Sequence, residues 1–154
     1  MNKHDIDANA PVPTADQLRM ELIERKLAEM EKRETQKAAE RQKLAAFTDD
    51  FMKNHVSDKE REMIRRLVQN AVSDGKWEAL VYSFPSDLCT DSGRAITNGE
   101  PDWPKTLQGK AKELYERYQT IAKPAGYRLK AMIINYPGGM PGDVGLFLSW
   151  APEA

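Results

Sequence analysis

The chain has 154 residues, with 23 Lys and Arg against 24 Asp and Glu and a formal net charge of −1. That is about one domain's length, roughly 100–150 residues, and its near-neutrality sets up no global field to draw it onto nucleic acid or anionic lipid. No stretch approaches the roughly 18 apolar residues of a membrane span, the N-terminal MNKHDIDANAPVPTADQ lacks the apolar run of a signal peptide, and a lone Cys89 excludes an intrachain disulfide, so a cytoplasmic protein is expected.

Residues 1–13 show no periodicity and end in Pro11 and Pro13; a disordered leader is expected. Thr14 stands three residues before Gln17, the spacing of a capping box, which starts a helix near Ala15. From there to about Asn54 the chain has no Gly or Pro and is dominated by strong helix formers. The resulting arm, 14–56, would be roughly 60 Å long, more than one small core covers, so part of it is expected to project or pair. Met20, Ile23, Leu27 and Met30 make an a/d seam over two heptads, with Leu18 and Leu22 beside it, and Glu34 and Lys37 end it at the next seam positions. Leu44, Phe47, Phe51 and Met52, with Val56 beyond, restore an apolar face expected to dock on the compact domain, 57–154.

In that domain Ser57 and Glu60 form a second capping box, and a helix is expected over 58–73 with Met63, Ile64, Leu67, Val68, Ala71 and Val72 on its apolar face and Gly75 as its left-handed cap. WEALVYSF, residues 77–84, alternates and is rich in β-formers, so it reads as a strand ended by Pro85. Residues 85–103 read as irregular. Pro104 is expected at the first position of a helix carrying Leu107, Ala111, Leu114, Tyr115, Tyr118 and Ile121, stopped by Pro124 and Gly126. YRLKAMIINY (127–136) and DVGLFLSW (143–150) are two further strands, and in the PGGMPG connection between them Gly139 and Gly142 are expected at positive φ. The predicted class is α+β: a long N-terminal helix followed by a small three-stranded sheet packed with two helices. Such a sheet can leave a face uncovered for a partner or a second copy.

The chemistry-bearing residues are sparse. Cys89 is flanked by Asp87 and Asp91, which disfavour a thiolate, and the only histidines are His4 in the leader and His55 at the end of the arm, so a buried structural thiol is favoured over a nucleophile. Two histidines and one cysteine so dispersed match no zinc spacing, and the twelve-residue calcium-loop pattern is absent around Asp91. No metal or cofactor is expected. The 137–142 loop offers backbone N–H groups but no Lys and no following helix, so it is not a P-loop. The irregular 85–103 segment is unusually long for a compact domain. If a ligand or partner site exists, Ser86, Asp87, Asp91, Arg94 and Asn98 facing Gly138 and Gly139 are the expected residues, with Arg94 either the counter-ion of an acidic ligand or a pin paired with Asp87 or Asp91. Parallel neighbouring strands ending at Phe84 and Tyr136 would bring these loops to one edge. On the 58–73 helix Lys59, Arg61, Arg65 and Arg66 are interleaved with Glu60 and Glu62, which reads as an ordinary solvated face.

The preferred reading is a non-enzymatic protein-interaction or regulatory module that forms a homodimer or binds a protein partner through Met20, Ile23, Leu27 and Met30. A small-molecule or anion-binding domain, with or without catalysis, using the 85–103 and 137–142 loops is the alternative. A nucleic-acid regulator acting through the 58–73 helix comes third.

Overall fold

The structure is a computed structural model and describes residues 11–152, so residues 1–10 of the expected leader, His4 among them, lie outside the described residues. The chain divides into two compact units, Met1–Ala45 and Ala46–Ala154. Helix α1, Ala15–Lys53, supplies the regular structure of the first among its described residues, and its last turns, from Ala46, belong to the second. Its capping box forms: the Thr14 N–H donates to Gln17 Oε1 at 2.9 Å and the Gln17 N–H to Thr14 Oγ1 at 3.1 Å.

In the second unit α2 spans Asp58–Ser73, and Ser57 and Glu60 cap it reciprocally. It closes on a Schellman motif: Lys76 N–H donates to the Ala71 carbonyl, Gly75 N–H to that of Val72, and Gly75 is left-handed at φ 75°. Ala71 is buried, with Ile64 and Val68 packed against the core, whereas Met63 and Val72 of the expected apolar face lie exposed. That face is one stripe narrower than the apolar pattern implied.

Strands β1 (Glu78–Pro85), β2 (Arg128–Ile133) and β3 (Asp143–Ser149) form one sheet in the order β1-β3-β2, antiparallel throughout. β1 and β2 are therefore parallel to each other but not neighbours, which corrects the expected adjacency. The β2–β3 hairpin places β3 against β2, and β3 offers its other edge to β1. Both strands nevertheless end beside the start of β3, Phe84 and Ile133 each opposite Val144. A bulge between Leu80 and Tyr82 lets Val81 and Tyr82 both turn toward the helices.

The core is built on Phe51, Phe84, Val144 and Leu146. The Phe51 ring lies 5.3 Å from Phe84 and 6.4 Å from Tyr82. Val56 is buried with it, while Leu44 and Met52, also expected on the docking face, are exposed. The 85–103 segment is more ordered than expected. It holds a 3₁₀ turn at Ser86–Leu88 and a one-turn helix α3 at Arg94–Thr97, and Trp103–Thr106 follows as a second 3₁₀ turn. Pro104 sits in the first positions of that turn, not at the start of the long helix. Leu107 and Gln108 are extended, Gly109 is left-handed, and α4 runs Gly109–Arg117, continuing as a π-helical turn at Tyr118–Ala122. In the hairpin loop the positive φ angles fall at Gly138 and Gly139, not Gly142. Gly142 is needed for space instead, since a Cβ there would overlap Asn135 Oδ1, the group that accepts the Asp143 N–H at 2.8 Å.

The opposite sheet face carries Leu80, Met132 and Ile134, all exposed, beside Phe147, and a Glu78–Lys130 ion pair of 2.8 Å. Among the described residues no helix is long and apolar enough to cross a membrane.

Candidate functional site

Met20, Ile23, Leu27 and Met30 recur at coiled-coil spacing on regular helix, and they are 56, 50, 53 and 59% exposed. Leu18 and Leu22 are as open. Surface ion pairs, Arg19–Asp16 at 2.5 Å and Arg25–Glu21 at 3.6 Å, lie along the same turns. Pairs so exposed contribute little stability, so the unsatisfied quantity on this stretch is apolar surface.

In the second unit the shared strand ends bring the 85–103 segment against the hairpin loop. Ser86, almost fully buried, joins them: its N–H donates to the Gly142 carbonyl at 2.9 Å and its hydroxyl to the Pro141 carbonyl at 3.3 Å. Asp91 turns its carboxylate onto its own chain, accepting the Gly93 N–H at 3.0 Å and the Ala95 N–H at 2.8 Å, and so builds the start of α3. Asp87 and Arg94 are exposed, and Arg94 forms no ion pair with Asp87 or Asp91 among the described residues. The pinning role is thereby corrected: the Asp91 oxygens are taken up by backbone amides. Asn98 caps α3, its N–H on the Arg94 carbonyl. Gly138 and Gly139 are exposed, and the Gly139 N–H is spent on the Tyr136 carbonyl at 3.1 Å. No hydrogen bond or ion pair links Asp87, Arg94 or Asn98 to the glycine loop among the described residues.

Cys89 is buried. Burial pushes its thiol pKa up, with Asp91 adding to that and Thr106 opposing it by a hydrogen bond. The His55 ring is engaged elsewhere, Nδ1 lying 2.6 Å from Glu113 Oε1. Among the described residues no group of three His, Cys, Asp or Glu is placed to hold a metal ion.

Sequence reasoning missed two clusters. The first is Lys110, 3% exposed, whose ammonium donates to Asp50 Oδ2 at 2.5 Å and Glu60 Oε1 at 2.6 Å. Desolvation opposes the charge on Lys110, yet the two carboxylates outweigh it and raise its pKa. Glu60 resists the same desolvation through Lys110 and the Ser57 amide and hydroxyl, and its pKa is lowered. Burial likewise works against Glu113, but His55 and the Val56 N–H hold its pKa below the ordinary carboxyl value. These contacts tie the end of α1 and the start of α2 to the first turns of α4.

The second is a cleft of about 280 Å³ between α2, the helix-covered sheet face and the α4–π turn. Ile64, Leu114, Leu129, Leu146 and Leu148 line it, and among the described residues its only charged lining residues are Arg61, Arg65 and Arg117. A sequence signal existed in the i, i+4 spacing of Arg61 and Arg65, but Arg117 is brought to them by packing alone. Arg61 binds Asp58 and the Val56 carbonyl, and Arg65 binds Glu62 at 2.9 Å, so both basic residues of α2 are already engaged with their own helix or its entry. Comparison with protein-family models, with curated proteins and with solved structures finds no match to this chain.

Proposed function

We propose that the protein is an association module that pairs with a second copy, or with a helix of a protein partner, through Met20, Ile23, Leu27 and Met30. The observation that supports this reading is the apolar row itself, about half exposed at every seam position. Each such side chain contributes about 1.5–3 kcal/mol when fully buried, and only about half of that remains to be gained here. Four half-exposed side chains from each of two copies leave about 6–12 kcal/mol to be gained against an association cost of about 4–15 kcal/mol, so the two nearly balance, Leu18 and Leu22 add to the favourable side, and the pairing is weak and concentration-dependent. Asp16 and Glu34 at the flanking seam positions fix its register, because a slip of one heptad would bury a carboxylate.

Sedimentation of the full chain over a range of concentrations tests it. The expected outcome is a reversible monomer–dimer equilibrium that Ile23→Asp abolishes, with the unfolding transition of the second unit unchanged. A chain that stays monomeric at high concentration, and whose Ile23→Asp form retains the same bound proteins as the parent, would reject the proposal. Ligand binding by the second unit is a further reading, favoured by the arginine-rimmed cleft.

A further inference from the structure

We infer that this cleft binds a small amphiphilic anion, a medium-length acyl chain ended by a carboxylate, with the chain against the sheet and the carboxylate at the arginines. The walls supply the first half of the match. Leu129, Leu146 and Leu148 present one sheet face, Ile64 and Leu114 close the two sides, and Ile121 stands at the edge 62% exposed. Away from the arginines these apolar walls offer a sugar or a polar ring no hydrogen-bonding partners. The one hydroxyl in the wall, Tyr118, is spent on the Tyr127 carbonyl at 3.1 Å. At about 280 Å³ the cleft lies just below the usual range of ligand sites, roughly 300–1,000 Å³, which suits a single flexible chain rather than a larger ligand.

Charge supplies the second half. In a chain with net charge −1, three guanidiniums and no carboxylate line this cleft among the described residues. The Arg117 guanidinium forms no hydrogen bond or ion pair among the described residues, although its charge is felt at Glu113. Arg65 is paired only with Glu62, both more than half exposed, a contact weak enough to exchange for a ligand. Arg61, 29% exposed, is held by Asp58 and the Val56 carbonyl and contributes mainly field. The acidic groups near the rim are Asp58 and Glu62 on α2 and Glu113 on α4, and each already has a basic partner in Arg61, Arg65 and His55. Planar guanidinium matches carboxylate through two parallel hydrogen bonds, which favours a carboxylate over a cationic or neutral head.

The backbone adds an independent sign. The π-helical turn Tyr118–Ala122 contributes Tyr118, Ile121 and Ala122 to the wall, and such turns are rare and cluster at functional sites.

Calorimetric titration of the full chain with decanoate and decylamine below their micelle concentrations and with decanol below its solubility limit tests the assignment. Decanoate is expected to bind, decanol at least about tenfold more weakly, and decylamine not at all. Arg117→Gln should weaken decanoate by about tenfold and leave the melting temperature of the free protein unchanged, whereas Ile121→Asn should weaken decanoate and decanol alike. Equal affinity for decanoate and decanol, or an Arg117→Gln variant that binds as the parent does, would overturn the proposal. So would flotation with anionic phosphatidylglycerol vesicles in the absence of decanoate binding, since the surface would then read a bilayer. Sedimentation of the Ile23→Asp variant is independent of this outcome, so either proposal can fail alone.

Discussion

Gly109 is where two helices approach to within the width of a side chain. It opens α4 at φ +53°, and a Cβ built there would overlap the Phe51 carbonyl oxygen and come within 2.9 Å of Phe51 Cδ1. Two independent demands therefore select glycine, a left-handed backbone that costs another residue about 1–3 kcal/mol and contact with a ring that is itself 0% exposed. Gly109→Ala should lower the urea midpoint by more than Gly75→Ala, because Gly75 has the positive φ but nothing within 4 Å of its Cβ position. Equal losses would mean that backbone conformation alone sets the cost. Phe51 is the last turn's contribution to the core, and its stack with Tyr82 and Phe84 explains why the space beside it is not available.

α4 shows how elements share the work of burial. Leu107, in the extended link before the helix, is 4% exposed, while Leu114, two turns into it, is partly buried and lines the cleft. Leu107→Ala should accordingly cost about 2–5 kcal/mol, and Leu114→Ala only about 1 kcal/mol, as read from chemical unfolding; a reversed order would mean that the cleft closes in solution. The apolar spacing of this segment was legible in the sequence, and so were α1 and α2 with their capping boxes, which rest on contacts within about four residues, and all three strands, whose alternation and β-forming residues are local even though their pairing is not. The break at Leu107–Gln108 was not. Pro104 satisfies the local rule for a helix start, but the Leu107 side chain and the Phe51–Gly109 contact pull the chain into an extended step, a choice made by tertiary packing. The strand order was hidden for the same reason, since nothing local says which edge of β3 receives β1. Of the residues expected at a site, Asp91 was legible as polar but not as satisfied, because its partners are amides of its own turn, and Arg117 meets Arg61 and Arg65 only through the packing of α4 beside α2.

Across the second unit, charge couples stability to pH at both ends of the scale. Asp50, held by Asn54 and then by Lys110, has its carboxyl below the ordinary 3.8, and Glu60 and Glu113 lie below the ordinary 4.5. For a lowered carboxyl the unfolded chain takes up protons first, so the stabilisation is complete above the unfolded value and is lost as pH falls through the folded one. Lys110 and Tyr82 have raised values, Lys110 through its two carboxylates and Tyr82 through burial and the charges of Glu60 and Asp50. Their stabilisation is complete below the ordinary 10.5 and 10.0 and is lost as pH rises beyond them. The urea midpoint should therefore be flat from about pH 5 to 9 and fall on both sides. Lys110→Met keeps most of the buried stem but leaves Asp50 and Glu60 without their ammonium, so these carboxyls, still held by Asn54 and Ser57, gain less from ionising in the folded state. The stability difference between parent and Lys110→Met should be largest at neutral pH and shrink as pH falls from about 5 to 3, while the Glu113–His55 contact keeps part of the acid limb in both. A difference that stays constant over that range would show that Lys110 acts through packing and not through charge.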